Sequence, residues 1–151
     1  VNTLSKENIR DYYQIIGALE SSALVEGYAN LKQTHFNRMR TLIDGMQKAL
    51  DTDNFAQFYK KNLDFHNVYI GVCKNNTLTK IVNQYKKRLY DFILQTAWIK
   101  EWEESSNKEH EKLFQLLKDG QPEEAAIYVQ KVHWSYNVQE KFIRNYYFDN
   151  K

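Results

Sequence analysis

Apolar residues recur at steps of three and four along almost the whole chain, the spacing that places them on one face of an α-helix. The pattern predicts six helices, each bounded by residues typical of helix ends. The first helix runs from about Lys6 to Ala29 behind an N-cap at Ser5, the second from an N-cap at Thr34 to Asp51, and the third from an N-cap at Asp53 to a break at 74–76. The fourth begins at Thr77, and the pattern leaves its end open. The fifth runs from Ser105 or Ser106 to Asp119, and the sixth from Gln121 to about Tyr147. The stretch 98–104 either continues the fourth helix or forms an aromatic connection.

The composition agrees with a helical fold. The 151 residues include only five glycines and one proline, residues that β-sheet proteins need at their turns. Gly120 and Pro122 stand where helices commonly end and begin. We find no internal repeat, linker or low-complexity tract, so we expect one all-α domain over residues 1–151.

Charge and cysteine content exclude several classes of protein. The 21 basic and 19 acidic side chains leave a net charge of only +2, which argues against non-specific nucleic-acid binding. The single cysteine, Cys73, cannot form an intramolecular disulfide framework or a multi-cysteine zinc site. Neither a signal peptide nor an apolar run of membrane-spanning length is apparent. We therefore expect a cytoplasmic protein with no membrane partner.

Three of the four histidines fall on the predicted inner faces of three different helices. These are His66, His110 and His133, and Asn62 lies one turn before His66, so that an amide oxygen and an imidazole project side by side. Such a set of nitrogen and oxygen ligands suits a divalent transition metal. The alternative is that they are core histidines satisfied by backbone carbonyls or tyrosines, and periodicity alone does not decide between the two. We expect His35 to lie on the surface.

The residues around these histidines resemble a known family. The segment 62–66, Asn-Leu-Asp-Phe-His, followed by Asn75 and Leu78, resembles the signature of the FCD domain, the ligand-binding C-terminal domain of FadR-type regulators in the GntR family of transcription regulators. The resemblance extends over nearly the whole chain. It includes Ala18-Leu19-Glu20 with Ala23, Glu109-His110 with Leu113 and Phe114, and the spacing of Gly120, Ala125 and His133.

This resemblance implies a fold and a metal site. The fold would be an antiparallel bundle of six or seven helices around a central cavity, in a bacterial homodimer. Many members hold zinc, nickel or manganese by one Asp and three His, and a small organic acid binds at the ion. Carried over by position, the ligands are Asn62, His66, His110 and His133. We expect zinc first, with nickel or manganese as alternatives.

The sequence departs from the family pattern at positions that bear on the ligand. Asn62 stands where metal-binding members usually have Asp, and Ile16 stands where the first helix often has Arg. Cys73 and Lys74 replace the usual Ser-Gly before Asn75. The fourth helix of the family often carries a basic residue, so Arg88 is a candidate to pair with the carboxylate of the effector, or else a solvated surface charge.

Tyr85, one turn before Arg88, is a second candidate effector contact, although a core position suits it at least as well. The resemblance implies that the effector signals to a winged helix-turn-helix placed before this domain. Because the six predicted helices use up the chain, we expect DNA recognition to reside in a domain that is not part of it.

We therefore interpret the chain as a sensing and dimerisation domain and not as an enzyme. A carboxylate-bridged di-iron enzyme is disfavoured because no Glu lies three residues before any histidine. A mononuclear metal-dependent hydrolase stays open, with Glu20 or Glu140 as the candidate general base. A metal-free helical interaction module that uses Trp98, Trp102 and Trp134 is the other alternative.

Overall fold

The computed structural model describes residues 4–93 and 99–149, with the side chains of 92, 93 and 149 left out. The described residues are helical and contain no strand, which confirms the all-α prediction. The helices are α1 (Lys6–Gly27), α2 (Gln33–Asp51), α3 (Phe55–Gly71), α4 (Asn76–Ile93), α5 (Lys100–Lys118), α6 (Pro122–Tyr128) and α7 (Tyr136–Ile143). A 3₁₀ turn at Tyr28–Asn30 follows α1, and π-helical turns at Val129–His133 and Arg144–Asp149 follow α6 and α7.

The predicted starts of α1 and α6 are confirmed, whereas α1 ends at Gly27 and not at Ala29. The Ser5 hydroxyl accepts a hydrogen bond from the backbone N–H of Asn8 at 3.0 Å, which satisfies one of the free donors at the start of α1. Pro122 lies in the first turn of α6. Gly120 has a φ of +76°, a conformation that side chains other than glycine rarely adopt, and it therefore separates α5 from α6.

Three predicted helix starts are wrong by one or two residues. α2 begins after Lys32, whose backbone N–H donates to His35 Nδ1 at 2.9 Å, and not at Thr34. Asn54 caps α3 by accepting from the backbone N–H of Gln57 at 3.2 Å, so Asp53 is not the cap. Before α4, the oxygen of Asn75 accepts from the Leu78 N–H at 3.0 Å, and Thr77 already lies inside the helix. At α3 and α4 a neighbouring asparagine with similar capping chemistry takes the position, whereas the side chain of Lys32 makes no cap hydrogen bond at α2.

The last two predicted helices also change. α5 begins at Lys100, before the predicted Ser105 or Ser106, so Trp102 lies in its first turn, while Trp98 lies outside the described residues. The predicted sixth helix is interrupted at Trp134, and α7 starts again behind Ser135, whose hydroxyl accepts from the Val138 N–H at 3.3 Å. The π-helical turn before this break carries His133.

α1 is the central element of the bundle. It packs against α3, α4, α6, α7 and the π-helical turn that carries His133, whereas α2 packs mainly against α3 and α5. At the end of α1, a Cβ on Gly27 would lie 2.8 Å from the backbone nitrogen of Cys73, so only glycine lets α1 approach the end of α3 this closely. None of the described helices is both long and apolar enough to cross a membrane.

Candidate metal centre and adjoining cavity

The fold brings His66, His110 and His133 together from α3, α5 and the π-helical turn. His66 Nε2 lies 3.3 Å from His110 Nε2 and 3.2 Å from His133 Nε2. His66 and His110 are fully buried, and the side chain of His133 is 8% exposed. Within the described residues, this is the group of His, Cys, Asp or Glu side chains whose ligand atoms converge closely enough to hold one ion.

Each imidazole of this cluster has an oxygen partner on its other nitrogen, Nδ1. The pairs are His66 with Glu20 Oε1 at 3.0 Å, His110 with Asn107 Oδ1 at 3.1 Å, and His133 with Glu109 Oε1 at 2.7 Å. Carboxylate and amide oxygens accept hydrogen bonds, so these partners favour a proton on Nδ1 and leave a lone pair on Nε2. Metal-ligating histidines in proteins are oriented in this way.

The spacing of the Nε2 atoms also fits a metal ion. Two ligands at about 2.1 Å from one ion, at angles between square and tetrahedral, lie about 3.0 to 3.4 Å apart. Without a proton or cation between them, three converging lone pairs repel one another. The Nδ1 atoms have hydrogen-bond partners, as buried histidines of a protein core do, but the Nε2 atoms face only each other. This arrangement favours a metal site over three histidines with a purely structural role.

Burial keeps His66 and His110 in the form that binds metal. Burial lowers the pKa of His66 to about 3, against the opposing effect of Glu20. The pKa of His110 lies well below its ordinary value because the ring is buried and because His133 and His66 are close to it. Neutral imidazole is the form that donates its nitrogen lone pair to a metal, so these two rings are ready to bind at neutral pH.

Glu20 is the polar centre behind His66. Its Oε1 accepts hydrogen bonds from the hydroxyl of Tyr69 and, at 3.2 Å, from Trp134 Nε1, and its Oε2 lies 2.5 Å from Lys86 Nζ. Burial raises the pKa of Glu20, but its interactions with His66 and Lys86 outweigh that effect and hold it well below its ordinary value. Glu20 is therefore an ionised group that fixes His66.

Lys86 faces the interior of the bundle, although a lysine in a helix is normally exposed. The side chain is 1% exposed and pairs with Glu20. Burial lowers the pKa of Lys86, whereas Glu20 raises it. The sequence spacing contained a signal for the burial of Lys86, because Val82, Lys86 and Leu89 lie on one helical face and all three are buried.

Asn62 lies on the wall of a small cavity that it shares with His133. The side chain is 6% exposed, and its amide nitrogen donates to the Tyr90 hydroxyl at 3.3 Å. Its Oδ1 is buried and has no hydrogen-bond partner among the described residues. A buried acceptor without a partner is costly, so this oxygen is available to a ligand or an ion. Its coordination of a metal stays a prediction.

The structure places Arg88 and Tyr85 away from the histidines. Arg88 is exposed, and its guanidinium lies over the ring of Tyr85 at 5.3 Å and donates to the hydroxyl of Tyr12 at 3.4 Å. Neither Arg88 nor Tyr85 lines the cavity beside His133. The inner position on this turn of α4 is taken by Lys86, so the interpretation of Arg88 as a surface charge fits better than that of an effector contact.

The cavity beside His133 has a volume of about 40 Å³. The ionisable side chains Glu103, Glu109 and His133 line it, and the described part of its lining includes neither lysine nor arginine. Burial, and secondarily Glu109, raises the pKa of Glu103 to about 8. Glu109 was noted in the sequence only as part of the Glu-His pair, and Glu103 and Asn107 were missed. Asn107 lies three residues before His110, so helical spacing alone could have pointed to it.

The geometry weakens both alternative functions. Glu140 pairs on the surface with Arg144 at 3.1 Å, and Glu20 is bound to His66 and Lys86, so neither is free to act as a general base. For the metal-free module, the indole of Trp102 donates to Gln139 at 3.0 Å and that of Trp134 donates to Glu20, and both rings are buried. These two tryptophans belong to the core.

The comparisons with known proteins agree with this geometry. No curated protein and no solved structure matches the chain significantly. The family model of the FCD domain matches residues 11–132, which is well over half of the chain. The match includes His66 and His110, and His133 directly follows its last residue. The chain therefore belongs to the FCD domain family, the effector-binding domain of GntR-type transcription regulators.

Proposed function

We propose that this chain is a metal-supported sensing and dimerisation domain of a transcription regulator, and not an enzyme. In this proposal His66, His110 and His133 hold one divalent transition metal, zinc first, with nickel or manganese as alternatives. Asn62 Oδ1 is the fourth protein ligand. The observation that carries the proposal is the convergence of three Nε2 atoms whose rings are each oriented by an oxygen on Nδ1.

The bound ion would supply positive charge and open coordination positions for the carboxylate of a small organic effector. The protein ligands are neutral imidazoles and a neutral amide, so they do not compensate the charge of the ion. The carboxylates that orient the imidazoles are not themselves ligands of the ion, and one of them, Glu20, is already paired with Lys86. An anionic group at the open positions is therefore favoured.

The position of the cluster suits signalling. The three histidines come from α3, α5 and the turn between α6 and α7, and their partner Glu20 comes from α1. A ligand that binds there contacts elements that are far apart in the sequence, and it can favour one arrangement of them over another. In a homodimer, such a shift would alter the relative placement of attached winged helix-turn-helix domains and hence DNA binding.

The proposal is tested by the metal content of purified variants. We expect about one divalent ion per chain in the wild type, measured by elemental analysis and native mass spectrometry, and loss of the ion in His110→Ala and His133→Ala. His35→Ala is the matched control, because His35 is only partly buried, lies outside the histidine cluster and accepts a hydrogen bond from the backbone N–H of Lys32. Circular dichroism checks that each variant is folded. Equal metal content in all four proteins would refute the site.

A further inference from the structure

The wall of the cavity beside His133 consists of hydrogen-bond acceptors and aromatic rings. Its two carboxylates belong to Glu103 and Glu109. Glu109 is satisfied, because His133 Nδ1 lies 2.7 Å away and Gln139 donates to it at 3.2 Å. Glu103 has no hydrogen bond and no ion pair with any described residue. The carboxylate of Glu103 therefore faces the cavity without a partner.

A second acceptor in the same wall is also unpartnered. Asn62 is 6% exposed, and its Oδ1 has no hydrogen-bond partner within the described part of the chain. An amide oxygen has two lone pairs, so this atom can coordinate the ion with one and still accept a hydrogen bond with the other. Among the described residues that line the cavity there is neither lysine nor arginine, and the buried cation Lys86 is already paired with Glu20. Two unsatisfied acceptors facing one cavity indicate that its occupant brings hydrogen-bond donors.

The remaining wall suits a cation in particular. Five aromatic side chains line the cavity, namely Tyr13, Tyr90, Trp102, Trp134 and Tyr147. Aromatic faces attract ammonium groups, most strongly where water is excluded. Burial disfavours the ionised form of Glu103 and raises its pKa to about 8. A positive charge beside Glu103 would offset this unfavourable effect on the ionised form.

We infer that the effector is a small amino acid, whose carboxylate lies at the histidine cluster and whose ammonium group lies against Glu103. This inference rests on the proposed function, since it places the carboxylate at the bound metal. Since one buried water needs about 10 to 15 Å³, the cavity of about 40 Å³ has room for a group of about three heavy atoms, such as a short aminoalkyl group. A second carboxylate at the same place would lie near the carboxylate of Glu109 and would find neither lysine nor arginine among the described lining residues, so a dicarboxylate is disfavoured.

The test compares two probes that differ only in the ammonium group, β-alanine and propionate. Each is titrated by calorimetry into the zinc-loaded chain, and elemental analysis after the titration verifies that zinc is retained. We expect β-alanine to bind roughly tenfold or more tightly than propionate, the size of one charge-assisted hydrogen bond. In Glu103→Gln this preference is lost, while the affinity for propionate changes less than about twofold.

Glu104→Gln is the matched control, because Glu104 is the next residue of α5 and is exposed. It keeps the preference for β-alanine. Thermal unfolding checks that Glu103→Gln is folded, and Glu103→Ala serves as a second variant with the same expected loss. The inference is overturned if propionate binds as tightly as β-alanine, if the preference survives in both Glu103 variants, or if the zinc-loaded chain binds neither probe.

The same experiment separates this inference from the proposed function. If zinc binds and His110→Ala abolishes the binding of both probes, but β-alanine shows no preference, the metal site stands and the amino-acid effector is wrong. If the wild type does not bind zinc, the proposed function fails and the inference fails with it.

Discussion

Removal of the buried cation behind the metal centre should destabilise the protein strongly. Lys86 is 1% exposed, and its Nζ lies 2.5 Å from a carboxylate of Glu20 that is itself fully buried. Lys86→Met keeps most of the side-chain volume but leaves Glu20 ionised and without its cation. Breaking a buried pair in this way costs about 3 to 5 kcal/mol. For a domain of this size that corresponds to a fall in Tm of about 6 to 20 °C.

The assay is urea unfolding of the metal-free protein at pH 7, followed by circular dichroism, with ΔG obtained by linear extrapolation. Lys87→Met is the matched control, because Lys87 is exposed and its pair with Asp91, at 2.6 Å, lies on the surface. Exposed pairs of this kind contribute about 1 kcal/mol or less. If Lys86→Met is no more destabilising than Lys87→Met, the buried pair does not exist as described.

A double variant tests the physical reason for this effect. Glu20→Gln combined with Lys86→Met removes both charges, so no uncompensated charge stays buried, and we expect it to recover a large part of the stability that Lys86→Met loses. Gln at position 20 can still accept the hydrogen bonds from His66 and Trp134. A double variant that is as unstable as the sum of the two single changes would show that packing of the lysine stem, and not charge, dominates.

Three further predictions concern other parts of the molecule. Asn62→Asp should raise the affinity for a divalent metal in a calorimetric titration, because a charged ligand replaces a neutral one; unchanged affinity would mean that residue 62 does not face the ion. Burial raises the pKa of Glu103 from 4.5 to about 8, so the folded state keeps a proton that the unfolded chain releases, and stability falls as pH rises from about 4.5 through 8. Glu103→Gln should therefore unfold at a higher temperature than the wild type at pH 8 and at a similar temperature at pH 4.5, and equal melting at both pH values would contradict this. Gly27→Ala should cost about 1 to 3 kcal/mol in urea unfolding because its Cβ would press on the backbone of Cys73 at 2.8 Å, whereas Gly71→Ala, with nothing within 4 Å of its Cβ, should cost nothing.

The sequence was sufficient to predict the helices and the histidine cluster. Helical periodicity depends only on local spacing, so α1 through α4 were predicted close to their observed positions. The same spacing, with the family resemblance, placed His66, His110 and His133 on inner faces, and the fold brings them together. Cap positions were less certain because adjacent residues such as Asp53 and Asn54 have almost the same capping chemistry.

Only the tertiary structure decided which polar groups are buried and what they contact. A lysine in a helix is normally exposed, because an unpaired buried charge is very costly. Lys86 is buried because Glu20, on another helix, compensates its charge, and no local pattern can contain a partner so distant in the sequence. The oxygen partners on Nδ1, the break at Trp134 and the unpartnered carboxylate of Glu103 depend in the same way on contacts between helices. Periodicity therefore determined which faces point inward, and packing between helices determined the charge and hydrogen bonding of the site.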